Sequence, residues 1–563
     1  MTTTTPPPPT TPEPATTPPP QHGDFERRSQ LWPAAGIDLP RYLAWLTKPV
    51  MPLVERFGMK VPRRGPRGFE PRDVLLPPGY VAEVVATGFS APVMTTFGPD
   101  GAAYVVESGH KVDDPPRIRR VDPTTGEVSI VHEFRGPEWL PTGAVTGAVF
   151  VDGALLVTNT DRIVRIEPDG TRRTIVDGLP GRGDHQTNHP VLGPDGKVYF
   201  GVGTATNAGV VGSDNAAYGW LKDNPDVHDV PARDVVLAGR NYDDRDVLGD
   251  LSRTVRTGAF VPFGTETTPG QVLPGSVKAS GAVLRCNPDG SDLEVVAWGL
   301  RNPYGLAFAA DGRLYATEHG MDARSKRQVL GDFDDLYLVE EGRWYGWPDF
   351  ASGIRLDDPS WGDGGQGREP VLAEFPEPDP PKPIVSFTPH AGSNGLAISP
   401  AGEFGFPGQA FVALFGDLAP VTTPRLGTPV GFRVVRVDLE RRAIVDFAVN
   451  RIQGPASKLP HDGFERPSHC AFGPDGALYV TDFGEIDIAP EKAGIRVQAG
   501  SGALWRIRRE PSIPAGTEPP EPMAVPFYAA QYAAWAALAG AALGGLTWGL
   551  RRLRRGRRRP PGE

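Results

Sequence analysis

The residues best suited to chemistry fall in four short runs: Asp184-His185-Gln186-Thr187-Asn188-His189, Arg301-Asn302-Pro303-Tyr304-Gly305, His390-Ala391-Gly392-Ser393-Asn394 and Arg466-Pro467-Ser468-His469. Two further runs, Glu318-His319-Gly320-Met321-Asp322 and Gly416-Asp417, follow strand-like stretches. Imidazoles, guanidiniums, carboxylates and amides in this mixture suit proton transfer from a bound hydroxyl, or a hard cation held by oxygen. They carry no redox centre of their own. Cys286 and Cys470 are the only cysteines, too few for a four-thiolate metal site, and no C-x-x-C-H run exists to attach a haem. Any electron transfer must therefore borrow another centre.

Runs so far apart can share a site only if the fold brings them back to one place. A recurring phrase supplies that fold: an apolar run, a P-D-G-type turn, an alternating strand and a polar loop. It starts at Phe97, Phe150, Leu192, Phe308, Ile398 and Phe472, as in FGPDGAAYVVESG and FGPDGALYVTDFG. Asp-Gly provides the positive φ of a tight hairpin, and Lys197-Val-Tyr-Phe alternates like a half-buried strand. Most copies are followed by a second hairpin, such as the one from Arg162, which makes four strands per unit. The expected fold is all-β, a six-bladed β-propeller of four-stranded antiparallel blades over residues 78–509. The last copy ends after its third strand, Ala503 to Arg509, and Tyr80 to Thr87 resembles a fourth strand. The N-terminal strand is thus expected to close the ring. An insertion at about 204–280 should overhang one face. In such blades the connections from outer strand to next inner strand, and from second to third strand, emerge on one face, so all six runs should meet around the axis.

GDHQTN from Gly183, WGLRNPYGLAF from Trp298, ATEHGMD from Ala316 and DDLYLVEEGRWYGWPDF from Asp334, with the repeated GPDG turns, resemble the glucose/sorbosone dehydrogenase family. These are six-bladed propellers that use pyrroloquinoline quinone (PQQ) and calcium to oxidise sugars. The resemblance covers about Pro78 to Arg509. It implies hydride transfer from a sugar carbon to the quinone, with His185 as the base and Gln186 beside it. It also implies that Arg301 lies near the quinone with Asn302, that Arg466 holds a cofactor carboxylate, and that the carbonyls of Gly320 and Met321 bind calcium. Met321 stands where the family has proline. No Gln occurs in Pro141 to Phe150, where the family has a pocket glutamine. Only Arg425 is cationic in the stretch Gly416 to Gly431, where a pocket lysine would fall, and Ser468 replaces a second arginine. Asp334 and Asp335 follow the Gly320–Met321 turn and are candidates to brace it, although acidic pairs on loops are more often merely solvated. With an unperturbed imidazole, activity would rise near pH 6 to 7.

The 563 residues include 69 Gly and 63 Pro, about 23% of the chain, which excludes a mostly helical protein. The net charge is -10, and because the last thirteen residues hold seven Arg, the first 550 carry about -16. Nucleic acid is therefore not an expected partner. Residues 1–20, mostly Thr and Pro, read as disordered, and 21–77 as an extended tether. Residues 510–526 form a Pro/Glu-rich linker. Phe527 to Leu550 carry no charge and suffice for a single transmembrane helix, followed by the Arg-rich tail 551–563. The positive-inside rule puts that tail in the cytoplasm and the propeller outside, although no secretory signal is visible. The leading expectation is a membrane-anchored sugar dehydrogenase with a separate electron acceptor. Two alternatives remain open: a calcium-dependent lactonase-type hydrolase using Glu318, Asn188, Asn302 and Asn394, and a non-catalytic propeller that binds a glycan or a protein.

Overall fold

Four of the six repeated turns, those after Phe97, Leu192, Phe308 and Phe472, are built alike, bond for bond. Gly98 N–H donates to Ala102 O at 3.0 Å, Gly193 N–H to Lys197 O at 2.8 Å and Gly473 N–H to Ala477 O at 2.9 Å. In each, the aspartate side chain caps the turn, as Asp195 does by accepting from Lys197 N–H at 3.1 Å. The next glycines, Gly101, Gly196 and Gly476, have φ of 74°, 77° and 74°. Only glycine adopts that region without strain, so the P-D-G signature is a backbone requirement.

The protein is seen here as a computed structural model that describes residues 67–135, 144–361, 367–424, 428–489 and 494–510. Those residues form six antiparallel blades. Blade 1 holds Pro92–Phe97, Ala103–Glu107, Arg117–Val121 and Val128–Glu133, and blade 2 holds Val145–Val151, Ala154–Asn159, Arg162–Ile166 and Arg172–Val176. Blade 3 holds Thr187–Leu192, Val198–Val202, Ala282–Cys286 and Glu294–Trp298, and blade 4 holds Pro303–Phe308, Leu314–Glu318, Asp335–Val339 and Val385–Ser386. Blade 5 holds Ser393–Ile398, Ala410–Leu414, Arg433–Asp438 and Ala443–Asn450. Blade 6 joins Pro467–Phe472, Leu478–Asp482 and Gly502–Arg509 to Tyr80–Phe89, with Tyr80 opposite Arg509 and Thr87 opposite Ala503. The expected closure by the N-terminal strand is therefore present.

Side-chain donors tie four of the six blade junctions near the axis. Thr146 Oγ1 donates to Thr187 O, Asn188 Nδ2 to Pro303 O at 3.0 Å, Thr317 Oγ1 to Asn394 O at 2.5 Å and Ser468 Oγ to Pro92 O at 2.9 Å. Ser468, fully buried, thus works as a ring-closing donor between blades 6 and 1. On the axis, the rings of His189 and His469, from opposite blades, lie 5.0 Å apart, and Tyr304 packs 4.6 Å from His189.

The tether needs correcting at its C-terminal end. Val74–Leu75 adds a fifth strand to blade 5, pairing with Asn450 and Val449. The Arg67 side chain is buried, forming an ion pair with Asp482 and donating to Ser501 O and Gly463 O. A guanidinium this well satisfied fixes the chain to the ring, so residues 67–77 belong to the propeller. The rest of 21–77, the segment 1–20, the linker beyond Glu510, the apolar stretch 527–550 and the tail 551–563 lie outside the described residues. Among the described residues no helix is long and apolar enough to cross a membrane.

The insertion of blade 3 lies between Val202 and Ala282 and is folded. It contains the helices Ser213–Tyr218 and Trp220–Asp223 and the hairpin Asn241–Arg245 with Thr254–Gly258. Val210, Leu237 and Phe260 are buried in one apolar cluster with Trp344, Trp347 and Phe350. As a second-to-third connection, it stands over the expected face.

Candidate active site

The loops on that face enclose a cavity of about 1140 Å³. His185, Gln186, Arg301, His319, Gly320, Asp322, Arg324, Asp334, His390 and Asn394 line it, with Phe415, Leu418 and Val421 on an apolar side. Runs from different blades are thus brought together by ring geometry, as the repeat implies.

His185 sits at the junction of blades 2 and 3. Its Nδ1 lies 2.9 Å from Thr204 O, and because a carbonyl only accepts, Nδ1 carries the proton and Nε2 keeps its lone pair. Gly203 leaves room for this ring, since a Cβ there would stand 2.3 Å from the Cβ of His185. Burial pushes the imidazole pKa well below 6.5, and Arg301 and Arg324 push it further. The expectation of a rise in activity near pH 6 to 7 is therefore corrected: the ring is already neutral there. Asp184, which precedes it, does not orient the ring. Its carboxylate instead accepts from Trp220 Nε1 at 2.7 Å, Asn215 Nδ2 at 3.0 Å and Arg324 at 2.5 Å.

Arg301 opens the junction of blades 3 and 4 and is only 3% exposed. Its guanidinium donates to Asn207 O, Asn207 Oδ1, His319 O and Asp322 Oδ2, the last at 3.0 Å. It locks the junction and places a positive charge on the cavity floor at the same time. Asn302 belongs to a chain of amides and imidazole. Asn188 Nδ2 donates to Asn302 Oδ1 at 2.8 Å, Asn302 Nδ2 to His319 Nδ1 at 2.9 Å and His319 Nε2 to Asn394 Oδ1 at 2.9 Å. Arg466 is placed differently from what its alignment implies. It lies under the rings of Phe415 and Phe432, at 5.1 and 4.9 Å, donates to Gly416 O and Asp417 O, and is not among the cavity-lining residues.

The turn at Gly320 and Met321 is held from below by carboxylates. Gly320 N–H donates to Asp334 Oδ1 at 2.9 Å and Met321 N–H to Asp332 Oδ2 at 2.6 Å. Asp334 is thus a buried brace of the turn, and Asp335 is buried beside it without bonding the turn; at 3% and 2% exposed, neither is solvated. Asp335 accepts from Ser386 Oγ at 2.6 Å. Burial pushes Asp332 up to about 7 and raises Asp335 and Glu318 well above the carboxylate range.

A trans peptide points its N–H and C=O in opposite directions. With the Met321 N–H turned down to Asp332, the Gly320 carbonyl points away from the carboxylates. Among the described residues no group of three or more His, Cys, Asp or Glu side chains is placed to hold a metal. A calcium ion here would rest on the Gly320 and Met321 carbonyls, which suit its preference for oxygen. PQQ, a planar tricarboxylate, fits the cavity's size and its apolar side. Arg301 is a cation on its floor, and the buried Nε2 of His390 on its wall lacks a hydrogen-bond partner.

Sequence reasoning missed the contribution of the insertion. Asn207, Asp214, Tyr218 and Trp220 all reach the site or its supports, and Arg324 ties them to it. No periodic signal marks these positions. Only the conspicuous length of the insertion pointed there.

Residues 266–419 match the model of the Glucose / Sorbosone dehydrogenase family. That segment contains Arg301, Asn302, Gly320 and Met321 but neither His185 and Gln186 nor Arg466. Quinoprotein glucose dehydrogenase B of Acinetobacter calcoaceticus is 24% identical over 298 residues, 48% of this chain and 52% of that protein. The chain therefore spans about half the length of this curated relative. Among solved structures, the holo form of the pyranose dehydrogenase PQQ domain from Coprinopsis cinerea matches with a TM-score of 0.50 at 15% identity, covering 80% of this chain and 98% of that one. The PQQ-bound aldose sugar dehydrogenase from Streptomyces coelicolor matches with a TM-score of 0.43 at 19% identity, covering 77% and 99%. In its motifs and in the matched segment, the chain resembles the glucose/sorbosone dehydrogenases.

Proposed function

We propose that this chain oxidises a sugar or a sugar aldehyde, using PQQ and calcium bound in the cavity and passing electrons to a separate acceptor. When bound, PQQ supplies the acceptor for the hydride that leaves the sugar carbon. The protein supplies the remainder. His185 Nε2 takes the proton of the hydroxyl on that carbon, Arg301 keeps a fixed positive charge beside the acceptor, and the Gly320 and Met321 carbonyls hold the cation. Gln186 lines the cavity next to the base and is assigned to substrate binding. The observation that carries this reading is the tautomer of His185. Its Nδ1–H is committed to Thr204 O, so Nε2 is a proton acceptor in the cavity that also holds Arg301 and the Gly320 turn.

The hydrolase reading loses support from the same geometry. Asn188, Asn302 and Asn394 are bonded to one another through His319, and Glu318 Oε1 accepts from Arg301 N–H at 2.8 Å. Of that set only Asn394 lines the cavity, and Glu318, whose Oε2 has no hydrogen-bond partner among the described residues, does not.

The test is to load the full chain with calcium and PQQ, look for quinone absorbance on the protein, and add a panel of aldoses with an electron-accepting dye. Bleaching by an aldose and dye reduction are expected. Calcium-dependent hydrolysis without an acceptor, or binding without turnover, would overturn the proposal.

A further inference from the structure

Arg324 stands between three loops that carry the site. Its Nη2 donates to Asp184, the neighbour of His185, at 2.5 Å. Nη1 donates to Asp214 in the insertion's first helix at 2.7 Å, and Nε to Asp322, the partner of Arg301, at 3.0 Å. The guanidinium lies 4.3 Å over the Tyr218 ring, and its side chain is 9% exposed. A planar fork of fixed shape meets three carboxylates from three separate segments, a task no other side chain performs.

We propose that Arg324 is the positioning residue of this site: it fixes the His185 loop, the insertion helix and the Asp322 turn that holds Arg301 to one another, and it adds a second positive charge, after that of Arg301, on the His185 side of the cavity. The proposal rests on the dehydrogenase reading only for its kinetic consequence. The groups facing His185 are few. Arg301, Arg324 and His319 bear on it electrostatically, and Thr204 O holds Nδ1. The adjacent Asp184 spends its carboxylate on Arg324, Asn215 and Trp220. Without the Arg324 charge, Asp184, Asp214 and Asp322 lose a shared cation, and both the lost positive charge and the freed negative charge favour protonation of His185.

Charge and shape are separable by substitution. Arg324→Gln removes the charge, whereas Arg324→Lys keeps it but cannot reach three carboxylates at once. The full chain, uniformly labelled at histidine Cε1, is titrated by NMR, with the His185 resonance assigned by its absence in His185→Gln. In Arg324→Gln the imidazole pKa should rise by about half a unit to one unit. In Arg324→Lys it should stay near the parent value. In dye-coupled sugar oxidation, Lys should still lower kcat/KM about tenfold or more, because the loops are no longer held in register, and Gln should in addition move the acid limb to higher pH. If Arg324→Gln does not fold, the Lys variant decides alone: an unmoved pKa with the rate loss supports the proposal, and parent-like rates overturn it. An unchanged His185 pKa in a folded Arg324→Gln overturns it while the dehydrogenase reading stands. A raised pKa in a protein that oxidises no sugar overturns that reading and leaves the assignment of Arg324 intact.

Discussion

At the scale of single residues, His185 has the most direct consequence. Replacing it with Gln removes the proton acceptor from the cavity, and turnover should fall by a factor on the order of 10²–10⁴ while PQQ still binds. Its pH profile has a defined sign. The active form is the neutral ring, so the rate is lost as pH falls through the folded-state pKa, which burial and Arg301 hold well below 6.5. The rate should therefore be flat from pH 6 to 7, with the acid limb lower, and a limb centred near 6.5 would contradict the role assigned here. His185 was legible because its run matched a motif and its loop type fixed its face. Its partner Thr204 was not, since a backbone carbonyl leaves no trace in a side-chain pattern. The same limit explains Arg466. Alignment gives the guanidinium an address on the correct loop, but whether it reaches the cavity depends on Phe415 and Phe432 packing over it.

At the scale of elements, the Gly320 turn shows how buried carboxylates shape a loop. Asp334 accepts from Gly320 N–H at 2.9 Å and from Gly392 N–H at 2.5 Å, linking the second-to-third connection of blade 4 to the junction with blade 5. Asp334→Ala should cost about 1–3 kcal/mol for each N–H left unpaired, read as a lower urea midpoint. Calcium affinity should fall in Asp332→Ala, where the Met321 N–H is released and the Gly320 carbonyl direction is no longer imposed, and unchanged calcium titrations would show that the turn does not hold the ion. Sequence spacing exposed the pair of aspartates but not their burial. Met321 on the Gly320 turn packs in one apolar cluster with Trp344, Trp347 and Phe350, a long-range packing that no local period reports. The insertion is the clearest gap. Its two short helices are held by Asp184, Asp244 and Arg324, residues drawn from three different loops, so its structure is written in tertiary contacts.

At the scale of the whole molecule, the ring itself was the most legible feature, because a six-fold phrase with glycine-dependent turns constrains every copy alike. The uncharged stretch from Phe527 to Leu550 makes a separate prediction: the full chain should stay with membranes through a carbonate wash, and a chain ending at Glu510 should be released with its cavity intact. Recovery of the full chain in the wash would overturn the anchor. Ring closure also bears on the birth of the protein. Glu83 bonds Arg506 across blade 6, so Tyr80–Phe89, among the first strands to be synthesised, waits for Gly502–Arg509 about 400 residues later. Until then Tyr80–Phe89 has no partner edge, and five finished blades form an open arc whose two ends leave apolar sheet faces uncovered. Contacts so distant along the chain make closure slow, and the waiting arc is the species most open to pairing with a neighbouring copy. A nascent chain of this kind depends on the segment Gly502–Arg509 to turn five finished blades into a closed ring.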